Sequence, residues 1–200
     1  DVPGTLTVEA PDGSRRSIAA FYNGGLDGEE DPMDDLMLCS QVFPRLEFLA
    51  LDPYWTGGTV SDQWKADAGT PWFGPLPLRL SPSQVLGNVT VDLPGDADAY
   101  PVWTITGPGV PIIQNVTTGR GFEFRGDAPI DAGRTVTIDT RPDRLTVLDD
   151  LGNDLYASLE PFPDMWSLEP GANELQVELT GSTPDSQAAF SADVRWQAGW

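Results

Sequence analysis

The stretch AYPVWTITGPGVPIIQNVTTGRGFEF, residues 99–124, decides the fold class because two turn signals divide it into three short segments. Trp103 and Ile105 alternate with smaller or polar residues, as on a pleated strand whose two faces differ. Gly107-Pro108-Gly109 ends this first segment, and Thr-Thr-Gly at 117–119 ends the second. The stretch predicts strand, turn, strand, turn, strand, and it offers neither a nucleophile nor a base.

The same alternation recurs through residues 84–200. Apolar residues occupy alternate positions of four predicted strands: Val89 and Val91; Val136 and Ile138; Leu175, Val177 and Leu179; Phe190, Ala192, Val194 and Trp196. Turn signals at TTGRG, DAG, DDLGND, EPGAN and TGSTPD separate these strands. Short alternating strands divided by such turns predict an antiparallel sandwich, with Trp103 and Trp196 facing its core.

The N-terminal third predicts a smaller β-rich part. TLTVEA and SIAAFY flank the turn signal Pro11-Asp12-Gly13, which indicates a hairpin. The stretch QVFPRLEFLAL predicts another strand, with Leu46, Phe48 and Ala50 on one face, whereas residues 56–83 are irregular and rich in Gly and Pro. We therefore predict an all-β, mainly antiparallel protein with an N-terminal part at 1–55, a linker at 56–82 and a β-sandwich at 83–200.

Composition excludes several classes of function. The chain has 31 acidic and 11 basic residues, and its net charge of -20 repels nucleic acid and anionic lipid. Histidine, the commonest general base and metal ligand, is absent. No apolar run approaches the roughly 18 residues of a membrane span, so no membrane insertion is expected. Cys39 stands alone and is interpreted as a buried hydrophobe rather than a reactive thiol.

Five segments carry a family resemblance: GDADAYPVWTITGP (95–108), NVTTGRGFEF (115–124), DAGRTVTIDTRPDR (131–144), LEPGANELQV (168–177) and VRWQAGW (194–200). In this order and spacing they resemble the C-terminal domain of siphovirus-type distal tail proteins, the phage tail family of phages and prophages. LDPYWTG at 51–57 resembles the end of the ring-forming N-terminal domain of the same family. Family members usually carry more N-terminal sequence, so we expect this chain to be a fragment or to have a reduced first domain.

The resemblance implies a structural protein and not an enzyme. It implies a galectin-like sandwich that is similar to a carbohydrate-binding module, and a minor tail or baseplate component at the end of the tail tube. Such a protein assembles as a homo-oligomeric ring, joins the tail tube to the tail tip, and is made in the cytoplasm of the bacterial host before it enters the virion. No catalytic residue, cofactor or metal is expected. Fold likeness alone does not confer sugar binding.

Exposed aromatic residues are the candidates for contact with a partner protein or a host-surface glycan. Five tryptophans lie in predicted loops or at the terminus: Trp55, Trp64, Trp72, Trp166 and Trp200. Protein contact is favoured over a free sugar site, because aromatic side chains with a polar edge are common at interfaces. The alternative function is a secreted carbohydrate-binding module whose exposed tryptophans dock a polysaccharide.

Acidic groups offer weaker hypotheses. Asp149 with Asp150, or Asp96 with Asp98, could supply the acid and base of a glycosidase, but adjacent carboxylates are expected in so acidic a chain. Residues 150–161 depart from a calcium loop at Leu155 and Pro161. A looser set of oxygen ligands comprises Glu29, Glu30, Asp31, Asp34 and Asp35.

Overall fold

A computed structural model describes residues 2–25, 46–65 and 85–200, and these form a mainly antiparallel all-β fold. The strands are β1 Gly4–Glu9, β2 Arg15–Gly24, β3 Glu47–Leu49, β4 Trp55–Lys65, β5 Val85–Leu93, β6 Val102–Thr106, β7 Val110–Asn115, β8 Arg120–Glu123, β9 Thr135–Asp139, β10 Thr146–Asp149, β11 Gly171–Thr180 and β12 Gln187–Trp196. One short 3-10 helix spans Tyr156–Ser158. The predicted fold class is confirmed.

The chain divides into two compact units, residues 1–57 with 196–200 and residues 58–195. In the first unit, β1 and β2 form the predicted hairpin, with Leu6 opposite Ile18, and β3 pairs with the other end of β2. Trp196, at the end of β12, was expected in the core but is only half-buried. The Arg16 guanidinium lies 3.8 Å from the centre of its ring.

The second unit is a sandwich of two sheets. Its larger sheet has the strand order β4-β12-β6-β9-β10, and its smaller sheet has the order β5-β11-β7-β8. β6 lies between β12 and β9, so that Trp103 is opposite Phe190 on one side and Ile138 on the other. Most of the predicted inward residues are buried, including Val91, Val136, Ile138, Leu175, Val177, Leu179, Phe190, Ala192 and Val194.

An aromatic cluster occupies the centre of this sandwich. Trp103 is completely buried, as predicted. Its ring centre lies 5.9 Å from that of Trp64 in a stacked arrangement, 5.9 Å from Trp166 edge to face, and 5.2 Å from Phe190. Offset and edge-to-face contacts of this kind are the arrangements that aromatic pairs prefer. The cluster therefore joins β4, β6, β12 and the segment before β11.

The turn at Gly107-Pro108-Gly109 carries the chain from the larger sheet to the smaller one. A Cβ atom on Gly107 would lie 2.7 Å from the carbonyl oxygen of Ile130. Gly109 has φ +146, and a Cβ atom there would lie 2.6 Å from Cγ of Leu179. Both glycines are therefore required by close packing, and Gly109 also by its backbone conformation.

Part of the predicted linker is strand. Residues 56–65 belong to β4, where Trp64 faces the core and its neighbours Gln63 and Lys65 are exposed. Two glycines in this strand have no side chain, so they interrupt the alternation of apolar and polar residues that would have indicated a strand. Residues 66–82 lie outside the described residues, and the domain boundaries at 55 and 83 stay predictions.

Candidate functional site

The Asp149–Asp150 pair closes a turn. Asp149 accepts hydrogen bonds from Nδ2 of Asn153 at 2.8 Å, from the backbone N–H groups of Leu151 and Asn153, and from Arg134 at 2.8 Å. These bonds, that from the Asn153 side chain first, lower the pKa of Asp149 to about 2. Asp150 lies 3.0 Å from the same Arg134. A carboxyl group so readily ionised is poorly suited to the role of a glycosidase acid.

The other acidic residues proposed as sites either make different contacts or lie outside the described residues. Asp98 accepts a hydrogen bond from Ser167 at 3.1 Å, and its backbone oxygen accepts one from Arg195 at 3.2 Å. Within residues 2–25, 46–65 and 85–200, no three His, Cys, Asp or Glu side chains are grouped so that they could hold a metal ion. The set Glu29, Glu30, Asp31, Asp34 and Asp35, and also Cys39, lie outside the described residues.

The five candidate tryptophans have different surroundings. Trp64 and Trp166 are 9% and 1% exposed and pack in the aromatic cluster. Neither has surface to offer a partner, and both therefore leave the set of candidates. Trp200 is 85% exposed, Trp55 is half-buried near Gly199, and Trp72 lies outside the described residues. Contact of Trp55, Trp72 or Trp200 with a partner protein or a glycan stays a prediction.

The first unit has an exposed apolar surface on both faces of β3. Tyr22 and Phe48 are cross-strand partners whose rings meet edge to face at 6.1 Å, and both are exposed. On the opposite face, Leu49 pairs with Phe21 and is also exposed. We call Tyr22 and Phe48 the apolar sheet surface. Exposed apolar groups that lie together mark surfaces of interaction.

The sequence predicted that Leu46, Phe48 and Ala50 share one face of this strand. The structure adds that apolar side chains are exposed on both faces, with Phe48 on one and Leu49 on the other. The missed signal is the consecutive apolar run Phe48-Leu49-Ala50-Leu51, which does not alternate. Such a run is typical of a strand that is covered on both faces.

A cleft of about 320 Å³ lies beside β8 in the second unit. Its walls are formed by Gln114, Gly121, Glu123 and the segment 160–163. β8 is the last strand of the smaller sheet, but its outer edge is closed. The backbone N–H of Glu160 donates to the carbonyl oxygen of Glu123 at 2.9 Å, and that of Asp164 donates to Gly121 at 3.2 Å. This cleft presents side chains and no free strand edge.

Phe162 forms the outer wall of this cleft and is 98% exposed. Its φ of +63 is rare for a residue with a side chain and costs on the order of 1–3 kcal/mol. Prolines on both sides restrict the segment further. Phe162 was not among the residues predicted from the sequence, although Pro-Phe-Pro at 161–163 is a signal for an apolar residue held outside a strand.

Polar side chains line the outer face of the smaller sheet. Asn88 is opposite Gln176, and Gln176 is opposite Gln114, so three amides form a row across β5, β11 and β7. Nε2 of Gln176 donates to Glu178 at 2.6 Å. The next residue in the row is Gly121, which has no side chain and borders the cleft.

Comparisons with known proteins show where this fold occurs. The sequence matches no protein-family model and no curated protein. In the described residues, no helix is long and apolar enough to cross a membrane. The fold is similar to the crystal structure of the Dit protein of phage SPP1, described as a paradigm of the hub adsorption apparatus in phages that infect Gram-positive bacteria. The TM-score is 0.54 at 13% identity, over 88% of this chain and 59% of that chain.

The chain thus spans less than two thirds of the length of this structural relative. At such low identity the likeness concerns the fold. This fold occurs in a phage distal tail protein. The sequence segments described above resemble the family of such proteins.

Proposed function

We propose that this chain is a structural, non-enzymatic component of the distal tail of a phage, an adaptor between tail tube and tail tip. The observation that carries the proposal is the fold similarity to the SPP1 Dit protein over 88% of the chain. The protein would lie in the virion, at the tail tip, in contact with other tail proteins. It would need no cofactor.

Assembly would proceed through the apolar sheet surface of the first unit. Among the described residues of this unit, Ala20 is the only hydrophobic side chain in the buried core, which is little for a sheet of this size. A neighbouring copy that covered Tyr22 and Phe48 would gain about 25 cal/mol for each Å² of apolar surface buried. The net charge of -20 on each copy opposes this association.

Self-association should therefore strengthen with salt. Raising the ionic strength from 0.01 to 0.15 M shortens the Debye length from about 30 to about 8 Å and screens the repulsion between copies. Mass photometry and sedimentation at the two salt concentrations measure the effect. Phe48→Ser should weaken association, whereas Tyr156→Ser is the matched control, since these aromatic side chains are 42% and 41% exposed and Tyr156 lies in the second unit. A chain that stays monomeric, or an equal effect of both variants, would contradict this mode of assembly.

The location in the virion has a direct test. Gold-labelled antibody against the chain should decorate the distal end of the tail in electron micrographs of virions from the source bacterium. Virions labelled along the tube or on the head, or not labelled at all, would overturn the proposed position. This experiment does not depend on the mode of self-association.

A second candidate function is binding of a neutral host-surface glycan, as in a carbohydrate-binding module. The row of Asn88, Gln176 and Gln114 supports it, because amides both donate and accept hydrogen bonds to sugar hydroxyls. A glycan array with the whole chain tests this function. Binding that survives Gln176→Ala and Gln114→Ala would exclude this face as the sugar site.

A further inference from the structure

We propose that the cleft beside β8 binds a cationic side chain, arginine in preference to lysine, presented by a protein partner. The cleft lies in the second unit and plays no part in the self-association proposed above. The inference therefore stands or falls independently of that mode of assembly.

The aromatic wall supplies the first part of the argument. Phe162 is almost fully exposed, so both faces of its ring are accessible to a partner. A cation over such a face is attracted by the electron density of the ring. The backbone bonds of Glu160 and Asp164 to β8, together with Pro161 and Pro163, hold the segment in place before binding. A pre-ordered wall loses little conformational freedom when a partner arrives.

The carboxylates supply the second part. Glu123 and Glu160 line the cleft, and neither side chain makes a hydrogen bond or ion pair with another described residue. The lining contains no lysine or arginine. Arg120 is near in sequence, but its Nε lies 3.8 Å from the carboxylate of Asp164. Two free carboxylates beside an aromatic face match a guanidinium, which can donate to both while its plane stacks on the ring.

Charge complementarity selects this occupant over others. The cleft is negative within a chain of net charge -20, so anionic ligands are repelled. Addition of a partner strand to β8 is blocked where the segment 160–164 occupies its carbonyl groups. A neutral glycan could stack on Phe162 and donate hydroxyl hydrogen bonds to the two carboxylates, but it carries no positive charge to offset theirs. A cationic side chain uses both carboxylates and the aromatic ring of the cleft.

The probe is the tripeptide acetyl-Gly-Arg-Gly-amide, titrated into the ¹⁵N-labelled whole chain at low salt. We expect saturable shifts in the amide signals of residues 121–123 and of Glu160, Phe162 and Asp164, the residues of the segment that carry a backbone N–H. The lysine tripeptide should bind more weakly, and the neutral glutamine tripeptide should not shift these signals. Arginine binding should weaken as salt is added, because the contacts lie at the surface.

Variants test each wall. Glu123→Gln and Glu160→Gln should each weaken arginine binding by about two- to fivefold, the usual size of an exposed ion pair. Phe162→Ala should weaken it by a similar factor of about two to five, and Phe162→Leu should do so nearly as much because the ring face is lost. The matched controls are Glu174→Gln and Tyr156→Ala, which change an exposed carboxylate and an exposed aromatic outside the cleft.

Three results would overturn the inference. The first is equal binding of the arginine and glutamine tripeptides. The second is arginine binding that the cleft variants leave unchanged while their spectra show a folded chain. The third is a response of residues 121–123 and 160–164 to a neutral oligosaccharide, chitotetraose, in the absence of a response to the arginine tripeptide, which would make the cleft a sugar site.

Discussion

Replacing Trp103 by alanine should lower the free energy of unfolding by about 3–5 kcal/mol, the usual range for a buried aromatic. Trp103 is completely buried and contacts Trp64, Trp166 and Phe190 with ring centres 5.2 to 5.9 Å apart. These partners come from separate parts of the second unit. The substitution therefore removes the side chain that contacts all three.

The magnitude follows from the area that is buried. A buried tryptophan removes about 150–250 Å² from water, which at about 25 cal/mol per Å² corresponds to about 4–6 kcal/mol. This figure is an upper bound on the burial contribution alone, because the unfolded chain already buries part of its apolar surface and alanine retains a small share. The cavity that remains adds to the loss. For a chain of this size, the melting temperature should fall by about 6–20 °C.

Urea denaturation followed by circular dichroism measures the change. Trp103→Phe should cost less than half as much, because the Nε1–H of Trp103 has no hydrogen-bond partner among the described residues and its removal offsets part of the lost packing. Trp200→Ala, at an 85% exposed position, should change stability by no more than about 0.5 kcal/mol. Equal and small effects of Trp103→Ala and Trp200→Ala would refute the assignment of Trp103 to the core.

Two further predictions concern the second unit. Asp149 has a pKa of about 2, below its usual 3.8, so its stabilising effect is complete above pH 5 and is lost as the pH falls through 3.8 toward 2. The stability difference between the native chain and Asp149→Asn, measured in urea, should therefore shrink over that acidic range, and a constant difference would contradict the hydrogen bonds described. The fragment 58–200 should unfold cooperatively and at a higher temperature than 83–200, which lacks Trp64 of the aromatic cluster. Equal melting temperatures would place the domain boundary near residue 83, as the sequence predicted.

Partner surfaces were harder to predict than strands. Tryptophans in irregular segments were predicted to contact a partner because of their residue type, yet Trp64 and Trp166 are buried in the core. Phe162, which is almost fully exposed, was not nominated. Whether an aromatic residue in an irregular segment is covered depends on which distant strands pass over it, and local spacing contains no such information. Of the predicted contact residues, Trp200 is exposed in the structure.

The sequence by itself determined the all-β class, the first hairpin and the inward rows of the long strands. Those features are local: the pleat sends neighbouring side chains to opposite faces, so rows such as Leu175 to Leu179 mark a buried side without reference to a partner. Only the tertiary structure shows which strands belong to which sheet. β6 and β7 are separated by three residues, yet they belong to different sheets, and the chain crosses between the sheets at Gly107 and Gly109, where a side chain would meet neighbouring atoms. Strand pairing is set by contacts between residues far apart in sequence, which alternation within one strand cannot specify.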